Sequence, residues 1–304
     1  SAPKAEEPLA PQAAADPLAD AMKAVAAYQF GQSRAPLVEV ETMIRESKTK
    51  KERARIGQAL ARMLETGASD EAKRFACREL AVIGGPDCVP ALGKLLLDEA
   101  MADIARFALE RIPGPEAEDA LLAGLRQLKG RALIGVVNSL GVRGSVKAIP
   151  ALKDLLNSKD EALAEAAAAA LGEIDHLDAS YALPEAYNKV SPRVQLAIAH
   201  AGLRVAERRL AAGDMEMAEA AYEALNDPKL ALPDSIRAAA FIGLAKAKPQ
   251  AAANMIVSAL AGPDETLAQA ALAAVRETLE AKEFKTLADA MDSLEPVRQA
   301  QLLA

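Results

Sequence analysis

The sequence DCVPALGKLLL, residues 87–97, follows two glycines at positions 84 and 85 and contains the pattern on which the fold depends. Its residues Leu92, Leu95 and Leu96 are three and four positions apart, as are the residues on one face of an α-helix. Pro90 favours the first turn of a helix, where a missing backbone N–H costs nothing. This stretch therefore predicts a short amphipathic helix after a glycine turn.

The same pattern recurs along the chain. PAL at 90–92 returns as PAL at 150–152, and each is followed by a Leu-Leu pair. The related tripeptide DAL at 119–121 lies about midway between them, and YAL at 181–183 lies about one repeat further on. In the preceding helices, RFA at 74–76 returns at 106–108. A period of about thirty residues is that of one antiparallel helix pair. We therefore predict a series of helix pairs, with the RFA pattern in each first helix and the PAL pattern in each second helix.

Over residues 69–174, a glycine-rich turn followed by Pro-Ala-Leu-x-x-Leu-Leu resembles the HEAT-repeat (armadillo-like) family, in particular its Ala-rich bacterial members. The resemblance implies an all-α fold, a right-handed α-solenoid of antiparallel helix pairs in which the second helices line the concave side. Residues 191–226 contain Gly213-Asp214 followed by Ala218, Ala221 and Tyr222, and they resemble a tetratricopeptide-type repeat. A HEAT resemblance specifies architecture strongly and function hardly at all.

Glycine and proline predict where the helices stop and start. We expect four glycines to end first helices: Gly84, Gly114, Gly144 and Gly172. We expect four prolines to be early helical residues, namely those that follow Gly85, Gly114, Ser191 and Gly262. Together these signals divide the chain into helices of about four turns.

The domain organisation follows from the phase of the repeats. Residues 1–15 are rich in Ala, Pro and Glu and predict a flexible tail, and residues 16–68 predict divergent capping helices at 16–30, 35–46 and 50–65. Regular repeats follow over 69–190, and longer-helix repeats over 191–304. The last residues, 294–304, look like the first helix of a further repeat, so we expect the native protein to continue or this end to contact a partner.

Composition argues against several classes of function. The 304 residues carry a formal net charge of −7, aromatic residues make up 3% and Trp is absent. Nucleic acid requires a cationic surface that displaces counterions, so we expect no nucleic-acid partner. The charge-free run from Pro249 to Pro263 is too short to cross a bilayer, so we expect no membrane span.

Cys77 and Cys88 flank the turn at 84–86, where an antiparallel hairpin could bring them together. Two readings stay open, a disulfide in an oxidising compartment and two small buried thiols. The chain does not start with Met, which is consistent with a removed export signal or a chosen boundary. We expect a periplasmic or extracellular location, with the cytoplasm as the alternative.

The residues that could carry chemistry have simpler explanations. His176 is predicted in a turn and His200 as a partly buried helix residue, while Asn138 is predicted to be a buried amide that bonds a neighbouring repeat. The carboxylates group at helix starts, where they favour the helix dipole: Asp98, Glu99, Asp103, Glu116, Glu118 and Asp119. The basic run at 48–55 is predicted to be a solvated helix face. We expect no catalytic residue, no metal and no cofactor.

The outward positions of the shared second-helix frame predict a ridge for a protein or peptide partner. Both signs of charge occur there beside apolar residues, which suits a protein surface. Tyr222 is the candidate anchor, because a large ring with a polar tip concentrates interface energy, and the alternative is that it fills the core. The ridge comprises Lys94, Leu122, Lys153, Asp154, Glu185, Tyr222 and Glu223.

Three functions remain compatible with the sequence. The first is a non-catalytic protein-interaction scaffold that presents a curved helical surface. The second, implied by the family resemblance, is a HEAT-type enzyme, either a lyase or a DNA-repair glycosylase. The third is a structural spacer within a larger multidomain protein.

Overall fold

A computed structural model describes residues 16–279 and 284–303, and within them every regular element is helical. The predicted flexible tail, residues 1–15, lies outside the described residues. The α-helices are α1 (Pro17–Ala26), α2 (Ala35–Glu46), α3 (Lys50–Leu64), α4 (Asp70–Ile83), α5 (Val89–Leu95), α6 (Ala102–Arg111), α7 (Pro115–Gln127), α8 (Gly130–Val142), α9 (Ile149–Leu155), α10 (Glu161–Glu173), α11 (Leu177–Tyr187), α12 (Pro192–Ala211), α13 (Met215–Leu225), α14 (Asp234–Ala247), α15 (Pro249–Ala261), α16 (Glu265–Thr278), α17 (Phe284–Ala290) and α18 (Pro296–Leu303).

The chain forms two compact units, Ser1–Leu128 and Lys129–Ala304. In the first unit, α1, α3, α5 and α7 contact one another in succession, and α2, α4 and α6 form a second row beside them. Leu80, Leu92, Leu109 and Leu121 are completely buried between the rows. The N-terminal helices therefore continue both rows, and the role of residues 16–68 as a cap stays a prediction.

In the second unit, the first helices α8, α10, α12, α14 and α16 pack against one another, and the second helices α9, α11, α13, α15 and α17 lie beside them. The core is built mainly from Leu, Ile and Ala, among them Leu140, Leu152 and Leu171. Because successive first helices from α8 to α16 pack against one another, the core is continuous along the unit.

Several helices begin at the residues that the sequence predicts. Ser69 caps α4 by accepting the Ala72 N–H at 3.1 Å, and Thr49 forms a capping box with Glu52 at the start of α3. Pro115 and Pro192 begin α7 and α12 as expected. The expected start after Gly262 is wrong, because α16 begins at Glu265 with Asp264 as its cap.

The glycines have three different roles. Gly84 caps the end of α4, and Gly144, at φ 64°, follows the end of α8, as predicted. Gly114 is wrongly predicted to end a helix, since α6 ends at Arg111 and Gly114, at φ 102°, precedes α7 as its cap.

Gly172 is also wrongly predicted as a helix stop, because it lies inside α10 and is buried. A Cβ at Gly172 would come within 2.8 Å of the Ala201 Cβ in α12, and one at Gly141 in α8 would come within 2.9 Å of the Ala170 Cβ in α10. The two glycines therefore let successive first helices approach closely.

The prediction of longer helices after residue 191 is correct for α12 alone, because α13 to α16 have 11 to 14 residues and are no longer than α4. α12 extends over 20 residues, and α13 begins at Met215 after Gly213, whose φ is 77°. The predicted helix at 294–304 is present as α18 and begins at Pro296.

Candidate interaction surface

The second helices α5, α7, α9 and α11 share one frame of buried and exposed positions. The leucines of the repeated tripeptide are completely or almost completely buried: Leu92, Leu121, Leu152 and Leu183. The first residue of each tripeptide is exposed: Pro90, Asp119, Pro150 and Tyr181. Residues four positions before and after that first residue are exposed as well, because i and i+4 lie on the same face of a helix. The predicted frame therefore describes a true surface of the second helices.

The charged residues of the predicted ridge form ion pairs between neighbouring repeats. Lys94 lies 2.5 Å from Glu65, and Lys153 of α9 lies 3.2 Å from Glu185 of α11. Glu223 of α13 lies 2.9 Å from Lys248 at the start of α15. Exposed pairs of this kind contribute about 0–1 kcal/mol, so they cost little to rearrange around a partner. Of the other ridge residues, Asp154 is exposed and Leu122 is half-buried.

Tyr222 is not an exposed anchor. Its side chain is 2% exposed, and its ring packs on Gly243 of α14 so closely that a Cβ there would come within 2.2 Å of the ring. Burial and, to a smaller extent, the nearby Glu207 raise the pKa of the Tyr222 hydroxyl. Of the two readings left open, core filling is the correct one, because α13 turns this position towards α12 and α14.

Tyr181, which marks the repeat frame of the second helices in the sequence, is an exposed tyrosine. It is 54% exposed on α11, and Leu177, one turn earlier, is 46% exposed. Val146, just before the neighbouring helix α9, is also 46% exposed and occupies the position that corresponds to Leu177. The sequence contains a signal for the exposure of Tyr181, because this residue aligns with Pro90 and Pro150, which are prolines of the first helical turn.

We call these exposed residues the α9–α11 surface: Val146, Pro150, Asp154, Leu177, Tyr181 and Glu185. Its helices contact each other and are joined by the Lys153–Glu185 ion pair. Apolar side chains therefore lie beside carboxylates on two adjacent helices, and all of them belong to the second unit. The corresponding positions of α5 in the first unit are Pro86, Pro90 and Lys94, which offer less apolar surface.

The histidines and the amide that were candidates for chemistry either cap a helix or lie exposed on one. His176 caps α11 by accepting the Asp178 N–H at 3.2 Å. The expectation for His200 is wrong, since it is exposed on α12, and that for Asn138 is wrong as well, since it is exposed on α8 while the neighbouring Ser139 is buried. Over residues 16–279 and 284–303, no group of three or more His, Cys, Asp or Glu side chains is arranged to hold a metal ion.

Cys77 and Cys88 are both buried free thiols in the structure. Cys88 lies against α3, where its sulfur would be 3.5 Å from a Cβ at Gly57. Burial raises the pKa of both thiols, that of Cys77 to about 12. Of the two readings left open, the structure has the pair of buried thiols, and neither sulfur has the lowered pKa of a reactive cysteine.

The other surface predictions agree with the structure. The basic run at 48–55 is exposed along α3, and Arg55 forms an ion pair with Asp16 at 2.7 Å. Of the helices that the structure describes, none has the length and apolarity needed to span a bilayer.

Residues 118–201, from α7 to α12, match the family model for HEAT repeats. None of the curated proteins matches the chain. The match identifies residues 118–201 as HEAT repeats, and the helix pairs of the described residues confirm an α-helical repeat solenoid. The tetratricopeptide-like character of residues 191–226 stays a prediction.

Solved structures with a similar fold include lipovitellin, at 15% identity over 88% of this chain with a TM-score of 0.53, and the chain covers 33% of that protein. An engineered protein matches at 19% identity over 93% of this chain and 87% of its own length, with a TM-score of 0.41. The CpcE–CpcF complex of phycocyanin lyase from Nostoc sp. PCC7120 matches at 18% identity over 91% of this chain and 100% of that chain, with a TM-score of 0.38. At 15% identity the likeness to lipovitellin shows the fold alone, and the two matches with TM-scores below 0.5 carry no argument.

Proposed function

We propose that the protein is a non-catalytic interaction scaffold that binds a protein or peptide partner on the α9–α11 surface. The observation that carries the proposal is the exposure of Val146, Leu177 and Tyr181 at matching positions of two adjacent repeats. A partner that covers them removes apolar surface from water at about 25 cal/mol per Å².

The composition of this surface suits a protein partner. Tyrosine is enriched among residues that dominate binding energy, because its ring buries a large area and loses little conformational freedom. Asp154 and Glu185 lie beside the apolar residues, and Lys153, which pairs with Glu185, contributes a positive charge. Such a mixture suits the polar rim of a protein interface, whereas a nucleic-acid surface would be dominated by Lys and Arg.

Two observations favour a scaffold over the alternatives. A spacer has no need for large apolar side chains at repeated exposed positions, which carry a risk of unspecific association. An enzyme of the acid–base type needs a histidine or a carboxylate with a shifted pKa in a cleft, whereas His176 caps a helix and His200 is exposed on one. The periplasmic or extracellular location stays a prediction.

The proposal is tested by affinity capture with the wild type and two matched variants. Leu177→Ala removes an exposed leucine from the α9–α11 surface, and Leu196→Ala removes a 37% exposed leucine from α12. We expect a partner that the wild type and Leu196→Ala retain and that Leu177→Ala loses. Equal retention by both variants would contradict a role for this surface.

A further inference from the structure

A cleft of about 380 Å³ lies in the second unit between α12 and α14, next to the end of α16. Its volume falls within the range of about 300–1,000 Å³ that is usual for ligand sites. We call it the α12–α14 cleft, and its main lining residues are Glu207, Leu210, Tyr222, Ile242, Lys246 and Glu277. At the cleft, the Tyr222 ring of α13 packs on Gly243, where a Cβ would come within 2.2 Å of the ring.

Three helices end at this cleft. Leu210, Lys246 and Glu277 are the penultimate residues of α12, α14 and α16. The last carbonyl groups of a helix carry a partial negative charge, so each of these ends favours a cation. The cleft therefore receives negative potential from the backbone as well as from its side chains.

The side chains of the cleft leave one carboxylate without a counter-ion. Lys246 lies 2.6 Å from Glu277, so these two charges offset each other. Among the described residues, Glu207 has no ion pair or hydrogen bond to its carboxylate, although it lies close enough to raise the pKa of Tyr222. Glu207 is exposed, so its carboxylate can pair with a cation that enters the cleft.

The hydroxyl of Tyr222 is a second polar group without a partner. Tyr222 lines the cleft, and no described residue hydrogen-bonds its hydroxyl, so this oxygen can accept a hydrogen bond from a group that enters the cleft. Leu210 and Ile242 line the adjoining walls and offer apolar contact to an aliphatic stem.

We propose that the α12–α14 cleft binds an arginine side chain of a protein partner. The stem lies along Leu210 and Ile242, and the guanidinium donates to the Glu207 carboxylate and to the Tyr222 hydroxyl oxygen. Arginine suits the site because its planar head presents several donors and its stem packs on apolar walls. This inference rests on the protein-binding role proposed above, because its occupant is a segment of a protein.

The test is an NMR titration that follows the backbone amide of Gly243. The probe is acetyl-Ala-Ala-Arg-Ala-Ala-amide, and its matched control carries citrulline, the neutral isostere of arginine. We expect saturable shifts at Gly243 with the arginine peptide and at least fivefold weaker binding of the citrulline peptide. Equal binding of both peptides, or no shift at millimolar concentrations, would overturn the proposal.

Two variants locate the interaction. Glu207→Gln should weaken the arginine peptide at least fivefold, while Glu216→Gln, at an exposed carboxylate in the first turn of α13, should leave it unchanged. Binding that is unaffected by Glu207→Gln contradicts the assignment. Free arginine amide that binds as tightly as the peptide would assign the cleft to a small molecule and overturn the docking of a protein segment.

The titration and the capture experiment test the cleft and the proposed function separately. The capture experiment with Leu177→Ala depends on α11, whereas the titration depends on α12 and α14. Failure of the titration alone removes the arginine site and leaves the α9–α11 surface, and failure of capture alone removes that surface.

Discussion

Gly172 of α10 lies against Ala201 of α12, and a Cβ at Gly172 would come within 2.8 Å of the Ala201 Cβ and 3.0 Å of its Cα. Gly141 of α8 stands in the same relation to Ala170 of α10. In both pairs the two residues are 29 positions apart, since 170 − 141 and 201 − 172 give the same number. One contact of the repeat is therefore reproduced along the first helices, and it sets how closely they pack.

Gly172→Ala should destabilise the protein. The added methyl group has no space against the α12 backbone, and overpacking of this kind costs about 1–3 kcal/mol. We expect this loss in the free energy of unfolding measured with urea. The matched control is Gly93→Ala in α5, where the new Cβ would lie 3.8 Å from the Ala120 Cβ. That change should stabilise by about 0.5–1 kcal/mol, because alanine favours a helix. Equal effects of both changes would contradict the close approach at Gly172.

The two tyrosines should respond in opposite ways to truncation. Tyr222→Ala leaves a cavity against Gly243 and should cost about 3–5 kcal/mol of the free energy of unfolding. Tyr181→Ala, at a half-exposed position, should change stability by no more than about 0.5 kcal/mol. Thermal unfolding of both variants distinguishes the buried ring from the exposed one. A stability loss at position 181 as large as that at 222 would show that α11 is not oriented as described.

Much of the fold can be predicted because its signals are local. Ser69, Thr49 and Pro192 mark helix starts through their own backbone and side-chain chemistry, and they do so wherever the rest of the chain lies. The repeated tripeptide gives the burial of Leu92, Leu152 and their equivalents for the same reason.

The remaining errors depend on neighbouring helices. Gly172 has the residue type of a helix stop, and only its contact with Ala201 shows that it permits close packing instead. Tyr222 and Tyr181 have similar local sequences, but α13 packs between α12 and α14, whereas α11 leaves one face open. The α12–α14 cleft is a product of three helix ends and could not be found from any single segment.

Cys77 makes the stability depend on pH in the alkaline range. Its thiol has a pKa of 9.0 when unperturbed and of about 12 in the native protein, chiefly because of burial. Between these values the unfolded chain loses a proton that the native state keeps, so the free energy of unfolding falls as the pH rises. Denaturation at a series of pH values should show a shallower fall for Cys77→Ala than for the wild type. An unchanged slope would contradict the burial of the thiol.

Glu265 should titrate far below an ordinary glutamate. Hydrogen bonds from Arg298, and then from Gln269, lower its pKa from 4.5 to about 2. Carboxyl ¹³C NMR should give a midpoint near 2 in the wild type and one closer to 4.5 in Arg298→Gln. Asp264, whose pKa is lowered mainly by Arg237, is the internal control and should not move. A wild-type midpoint near 4.5 would show that α18 does not hold Arg298 against α16.

The central claim, that α9 and α11 form the face that binds a partner, is tested most directly by photo-cross-linking. A benzophenone amino acid replaces Tyr181 on the α9–α11 surface and, in a matched control, Leu196 on α12, where the side chain is 37% exposed. Illumination in the native extract should give one discrete protein adduct from position 181 and none from position 196. Adducts from both positions, or from position 196 alone, would contradict the claim.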